Sequence, residues 1–187
     1  MSDLDNNLNI DCPAAVTVSL NNNLIKDSVA SDDRTTGSAW GGGIYNGGGT
    51  LYMYDSTVKN NQVVLEANYD RARGLGGGIY NSADGKMEIY RSTIDGNLVD
   101  ASKVSSIISG LGGGIYNRGS LTMVASTITN NRQIHFQENH AGYQYSLYNG
   151  SAIVSEGVLS NTILDGVTVA YNEVGRNLEY PNEFSYA

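Results

Sequence analysis

The residues able to do chemistry fall into three sets. The carboxylates Asp27, Asp32 and Asp33 gather within seven positions and offer oxygen ligands for a weak cation, without the loop spacing of a calcium-binding hand. His135 and His140 stand five apart with no cysteine beside them, which does not build a tetrahedral zinc site. Cys12 is the single cysteine, so the chain cannot form an internal disulfide; with no histidine near it, it reads as a small filler or free thiol. Neither a metal nor a cofactor is expected. The third set is aromatic: Tyr45, Tyr80, Tyr116 and Tyr148, with Trp40 close to the first. Tyrosine is rigid and amphipathic, so exposed rings in a row suit the face of a sugar or a protein surface.

These tyrosines are regularly placed because they belong to a repeat. Gly41-Gly42-Gly43-Ile44-Tyr45-Asn46 recurs as Gly76-Gly77-Gly78-Ile79-Tyr80-Asn81 and as Gly112-Gly113-Gly114-Ile115-Tyr116-Asn117. Gln144-Tyr145-Ser146-Leu147-Tyr148-Asn149 reads as a worn copy, giving intervals of 35, 36 and 32 residues. The motif is not a phosphate loop, since no Lys-Ser/Thr follows it. A second motif, Thr, then a β-branched residue, then Asn four places after the Thr, runs in phase. It ends on Asn21, Asn61, Asn97, Asn131 and Asn172, with Thr162-Ile163 competing for the last slot. Between the two motifs lie alternating stretches such as Leu51-Tyr52-Met53-Tyr54 and Met87-Glu88-Ile89-Tyr90.

Period-two alternation marks a half-buried strand, and Gly and Asn mark the turns. Each repeat therefore holds three short strands. Stacked in register they form an all-β, right-handed parallel β-helix, a solenoid of five coils about 20–25 Å long at roughly 4.8 Å per coil. Ile44, Ile79 and Ile115 form one inward column, continued by Leu147. Val18, Val58, Ile94, Ile128 and Val169 form another, and Leu51, Met87 and Leu121 a third beside Met53, Ile89 and Met123. The five asparagines of the second motif form a hydrogen-bonded ladder, as do Asn46, Asn81, Asn117 and Asn149. The whole chain, 1–187, reads as a single domain with coils over 8–175 and a tail over 176–187.

The repeat pattern resembles the right-handed parallel β-helix repeats of polymorphic outer-membrane proteins and autotransporter adhesins. Their repeats are often shorter. Here the excess is expected as inserts at one corner, over Asn22–Trp40, Gln62–Leu75, Leu98–Leu111 and Arg132–Tyr143. Their sequences vary while the coils do not, the division of labour expected of a recognition scaffold. The outward tyrosines either stand exposed or are covered by these inserts.

Composition narrows the function classes. Lys+Arg is 11 against 19 Asp+Glu, a formal charge of −8 that repels phosphate backbones and argues against nucleic acid. No apolar run approaches a membrane span, and Met1–Asn7 is polar and acidic, unlike a secretory leader. The ends lack an amphipathic cap, so either flanking sequence or end-to-end stacking is expected to cover the open strand edges. Polysaccharide-active β-helices need converging carboxylates, but the acids of neighbouring repeats do not align: Asp55, Arg91 and Ala125 share one position, Lys59, Asp95 and Thr129 another. The expectation is a non-enzymatic extracellular or cell-surface module for adhesion or structural assembly, binding a glycan or protein through its inserts and tyrosine-bearing face. A polysaccharide lyase or hydrolase and a head-to-tail filament subunit are the alternatives.

Overall fold

A computed structural model describes residues 16–32, 38–65, 73–102, 110–136, 150–157, 160–177 and 185–186. No helix occurs among them. The chain winds as a parallel β-solenoid of five stacked coils; among the described residues the first three coils pass through five sheets, numbered 1 to 5, in turn, the fourth through sheets 1, 2, 3 and 5, and the fifth through sheets 1 to 3. Sheet 1 stacks Thr17–Asn21, Thr50–Tyr54, Lys86–Tyr90, Ser120–Val124 and Asn161–Asp165. Sheet 2 stacks Leu24–Lys26, Thr57–Lys59, Thr93–Asp95, Thr127–Thr129 and Thr168–Ala170. Sheet 3 stacks Val29–Asp32, Gln62–Leu65, Leu98–Ala101, Arg132–Phe136 and Glu173–Asn177, the last paired antiparallel with Ser185–Tyr186. Sheet 4 holds Ser38–Trp40, Arg73–Leu75 and Gly110–Leu111. Sheet 5 holds Ile44–Asn46, Ile79–Asn81, Ile115–Asn117 and Ile153–Ser155.

The alternating residues of sheets 1, 2 and 5 point inward as the pattern requires. Leu51, Met53, Val58, Ile79, Met87, Ile89, Ile94, Ile115, Leu121, Met123 and Ile128 are fully buried in one continuous core. Each such side chain contributes roughly 1.5–3 kcal/mol by leaving water.

The triple glycine has three separate causes. Gly41, Gly76 and Gly112 have φ of 60°, 71° and 70°, where a Cβ is strained. Gly42, Gly77 and Gly113 lie flush against backbone: a Cβ on Gly77 would sit 2.5 Å from the Leu98 carbonyl carbon and closer still to the Gly113 oxygen. Gly43, Gly78 and Gly114 rest on the carboxamides of Asn61, Asn97 and Asn131.

Three expectations are corrected. First, the first three coils carry five strands each, not three: of the regions expected as inserts, Gln62–Leu75 and Leu98–Leu111 each run from a strand of sheet 3 to one of sheet 4, Asn22–Trp40 holds strands of sheets 2, 3 and 4, and Arg132–Tyr143 opens with a strand of sheet 3. Sheets 3 and 4 pack through a second core of Ala39, Val63, Leu65, Val99 and Ala101. Within and next to these regions, 33–37, 66–72, 103–109 and 137–149 fall outside the described residues. Second, Thr17–Asn21 is not the first copy of the Thr…Asn motif. Thr17 pairs with Thr50 and Asn21 with Tyr54, so Val18 lines up with Leu51. Leu24–Ser28 holds the motif's place, and Ile25 stands beside Val58. Third, the strand that follows Tyr116 in its column is Ile153–Ser155, not Leu147–Asn149: Ile115 pairs with Ile153 and Tyr116 with Val154. Thr168, not Thr162, continues the second motif, because it pairs with Thr127.

Candidate functional site

The buried asparagines form the solenoid's internal polar spine. Asn61 Nδ2 donates to Asn97 Oδ1 at 3.0 Å, Asn97 to Asn131 at 2.9 Å and Asn131 to Asn172 at 2.9 Å. Each Oδ1 also accepts the backbone N–H of the ladder residue before it, as from Asn61 to Asn97 at 3.0 Å. Each Nδ2 donates as well to a carbonyl of the preceding coil: Ile25, Val58, Ile94 and Ile128 in turn. Asn21 stands outside this ladder. It lies exposed on sheet 1, and Ser28 holds the first place, its N–H donating to Asn61 Oδ1 at 3.1 Å. The steps between successive ladder residues are 33, 36, 34 and 41, so coil length varies while the ladder is unbroken.

A second ladder runs from Asn46 to Asn81 to Asn117 at 2.8 Å per step and passes to Ser155 Oγ at 3.3 Å. Asn149 lies outside the described residues. A third column escaped the sequence reading. Ser56, Ser92 and Ser126 each accept a backbone N–H from the coil before and donate to the carbonyl two residues back. The Ser-Thr pair repeated at 56–57, 92–93 and 126–127 was its signal.

The tyrosine column exists as a stack. Tyr45 and Tyr80 have ring centroids 5.2 Å apart at 4°, Tyr80 and Tyr116 5.7 Å apart at 9°. Trp40 lies near parallel to Tyr45 at 5.9 Å and to Tyr80 at 5.5 Å. The column is covered rather than displayed. Trp40, Leu75 and Leu111 of sheet 4 stand in register, and the two leucines pack against the rings. Tyr80 is 5% exposed and Tyr116 2%, leaving Tyr45 half-buried and Trp40 41% exposed. Tyr148 lies outside the described residues, and Val154 holds the place after Tyr116. Of the two arrangements open to these tyrosines, Tyr80 and Tyr116 take the covered one, because the returning limbs of the first three inserts are strands lying over the column. Burial, and then the Glu156 carboxylate accepting from its hydroxyl, push the Tyr116 phenol well above its ordinary range.

The open aromatic face is on sheet 1. Tyr54 and Tyr90 stack at 5.0 Å and 7°, and Tyr52 lies beside Tyr54 at 6.4 Å and 11°. All three are partly exposed. The charges around them pair with each other. Lys86 Nζ meets Glu88 at 2.7 Å, and the Tyr90 hydroxyl donates to Glu88 at 2.7 Å. These two contacts, Lys86 first, hold the Glu88 carboxyl below its ordinary range. Arg91 grips Asp55 with two bonds of 2.8 and 2.7 Å, which lowers Asp55.

The aligned positions hold no stacked carboxylates among those compared in the sequence. Lys59 pairs with Asp95 and Asp95 with Thr129. Among the described residues no group of three or more His, Cys, Asp or Glu could hold a metal ion, and no helix is long and apolar enough to cross a membrane. Cys12, Asp33 and His140 lie outside those residues. No protein-family model, no curated protein and no solved structure matches this chain.

Proposed function

We propose that this chain is a non-catalytic, cell-surface binding module of the adhesin type, in which a rigid solenoid carries variable recognition segments along one corner. The observation that supports this reading is where the coils differ. Sheets 3 and 4 keep their register from coil to coil, and the segments 33–37, 66–72 and 103–109 each join the same two sheets at the same corner. The segment 137–149 follows sheet 3 in the fourth coil. Length and sequence vary there without disturbing the ladders, as solenoids allow on a binding face. The likeness to polymorphic outer-membrane-protein and autotransporter-adhesin repeats supports the surface location.

The test is a segment exchange. Replacing 66–72 and 103–109 with Gly/Ser segments of equal length leaves both sheets intact. Adherence of the purified chain to immobilised matrix proteins and glycans is expected to fall at least about tenfold, the loss of one strong contact. Undiminished adherence, or cleavage of a polysaccharide by the unmodified chain, overturns the reading.

A second reading, end-to-end assembly, has one specific observation behind it. Leu164 and Val169 continue the inward columns of Met123 and Ile128, yet they are 46% and 50% exposed. Beside them Tyr171 is 81% exposed at φ 54°, where earlier coils place Asp27, Asn60, Gly96 and Asn130. A bulky residue in the left-handed region is costly. Sedimentation over a wide concentration range is expected to show association that Val169→Asp abolishes; a monomer at every concentration removes this reading.

A further inference from the structure

Sheet 1 contains a second surface, apart from the corner. Around the coil it is separated from the corner between sheets 3 and 4 by sheet 2 on one side and sheet 5 on the other. Its rings differ in one respect from the covered column. Tyr54 is stacked on one face by Tyr90 of the next coil. Its other face therefore turns toward the first coil, and Tyr52, only 11° from it, turns the same way. In that coil the residues in register with Tyr52 and Tyr54 are Ser19 and Asn21, both short and both exposed. Two large rings thus stand side by side over a polar shelf one strand spacing below. Asn21 Nδ2 donates to Ser19 Oγ at 3.1 Å, which holds the shelf together.

We propose that Tyr52 and Tyr54, overhanging Ser19 and Asn21, form a binding step for a neutral pyranose glycan. The apolar face of a sugar ring packs on an aromatic face, while its rim of hydroxyls needs polar partners. Both are present here in the required relation: ring faces as the wall, a hydroxyl and a carboxamide as the floor. The 6.4 Å between the two ring centroids is on the scale of one sugar ring, so successive sugars of a chain meet successive tyrosines. The charge pattern selects a neutral ligand. The ions flanking the rings are committed to each other as Lys86–Glu88 and Arg91–Asp55, leaving little to attract a polyanion.

The experiment titrates the full chain with cellohexaose, chitohexaose and maltohexaose at millimolar concentration, following the tyrosine ring resonances. At least one sugar is expected to bind and to shift the resonances of Tyr52 and Tyr54. The double variant Tyr52→Ala/Tyr54→Ala is expected to weaken binding at least about tenfold, while Tyr52→Phe/Tyr54→Phe keeps it within about threefold. Ser19→Tyr is an independent check: it fills the step with another stacked ring, as in the Tyr45–Tyr80 column, and is expected to block binding. No binding by any of the three sugars overturns the proposal, as does unchanged binding in the alanine pair or in Ser19→Tyr. The variant with 66–72 and 103–109 exchanged is expected to retain sugar binding in full, so failure at the step is distinguishable from failure at the corner.

Discussion

Asn97→Ala is expected to destabilise the chain by about 4 kcal/mol. Asn97 is fully buried in the middle of the spine and serves both neighbouring coils. Its Oδ1 accepts from both the side chain and the backbone N–H of Asn61. Its Nδ2 donates to the Val58 carbonyl and to Asn131. Alanine leaves an N–H, a carboxamide hydrogen and a carbonyl short of partners where water does not enter, and each such group costs roughly 1–3 kcal/mol. The loss exceeds that of a surface hydrogen bond because the partners remain behind. Asn97→Asp restores the acceptor but places a charge in the same dry channel, so it is expected to be no milder. Urea unfolding and hydrogen exchange at the Asn61 amide measure both. A midpoint within error of the parent chain would remove the ladder from the account of stability.

The second large effect is expected from a single methyl group. Gly77→Ala sets a Cβ against backbone of the next coil at two places. Overpacking normally costs about 1–3 kcal/mol because side chains give way. Here the obstacles are the Leu98 backbone and the Gly113 carbonyl, both held in the coil-to-coil hydrogen bonding, so about 3–5 kcal/mol is expected. For a chain of this size that lowers the melting temperature by roughly 10 °C. The control comes from the chain itself. Ser151 follows Gly150 as Gly113 follows Gly112, so Ser151→Gly is expected to move stability by no more than about 1 kcal/mol. A Gly77→Ala chain that melts with the parent would mean that the coils separate more easily than their register implies.

The middle of the molecule was legible in the sequence because there each residue answers to a coil on both sides. Ile79 and Ile115, and the asparagines from 61 to 131, recur where similar neighbours impose similar demands. The ends were harder for the same physical reason. In the first coil the motif becomes Leu24-Ile25-Lys26-Asp27-Ser28, and a chance Thr-Val-x-x-Asn in the preceding strand drew the assignment away. In the fourth, Gly150-Ser151-Ala152-Ile153-Val154-Ser155 keeps only its first glycine and its isoleucine, while Gln144–Asn149 happens to keep a Tyr-Asn pair. Sheets 3 and 4 were missed because their buried positions vary in size. Ala30, Val63, Val99 and Gln133 share one column, opposite the small residues Ala39, Gly74 and Gly110. Residue type is not repeated along the first of these columns, and motif matching depends on such repetition. The step on sheet 1 was half visible: Tyr54 stood out by repeating as Tyr90, whereas Tyr52 faces Glu88 and breaks the repetition.

The half-exposed Leu164 and Val169 also bear on how such a rod comes into being. Along the asparagine ladder every coil is tied to its neighbour by bonds spanning only 33 to 41 residues, so each completed turn exposes a fresh template of this kind. Any finished turn can then seed the next on either side, so folding spreads along the rod by adding neighbours rather than by gathering distant parts of the chain.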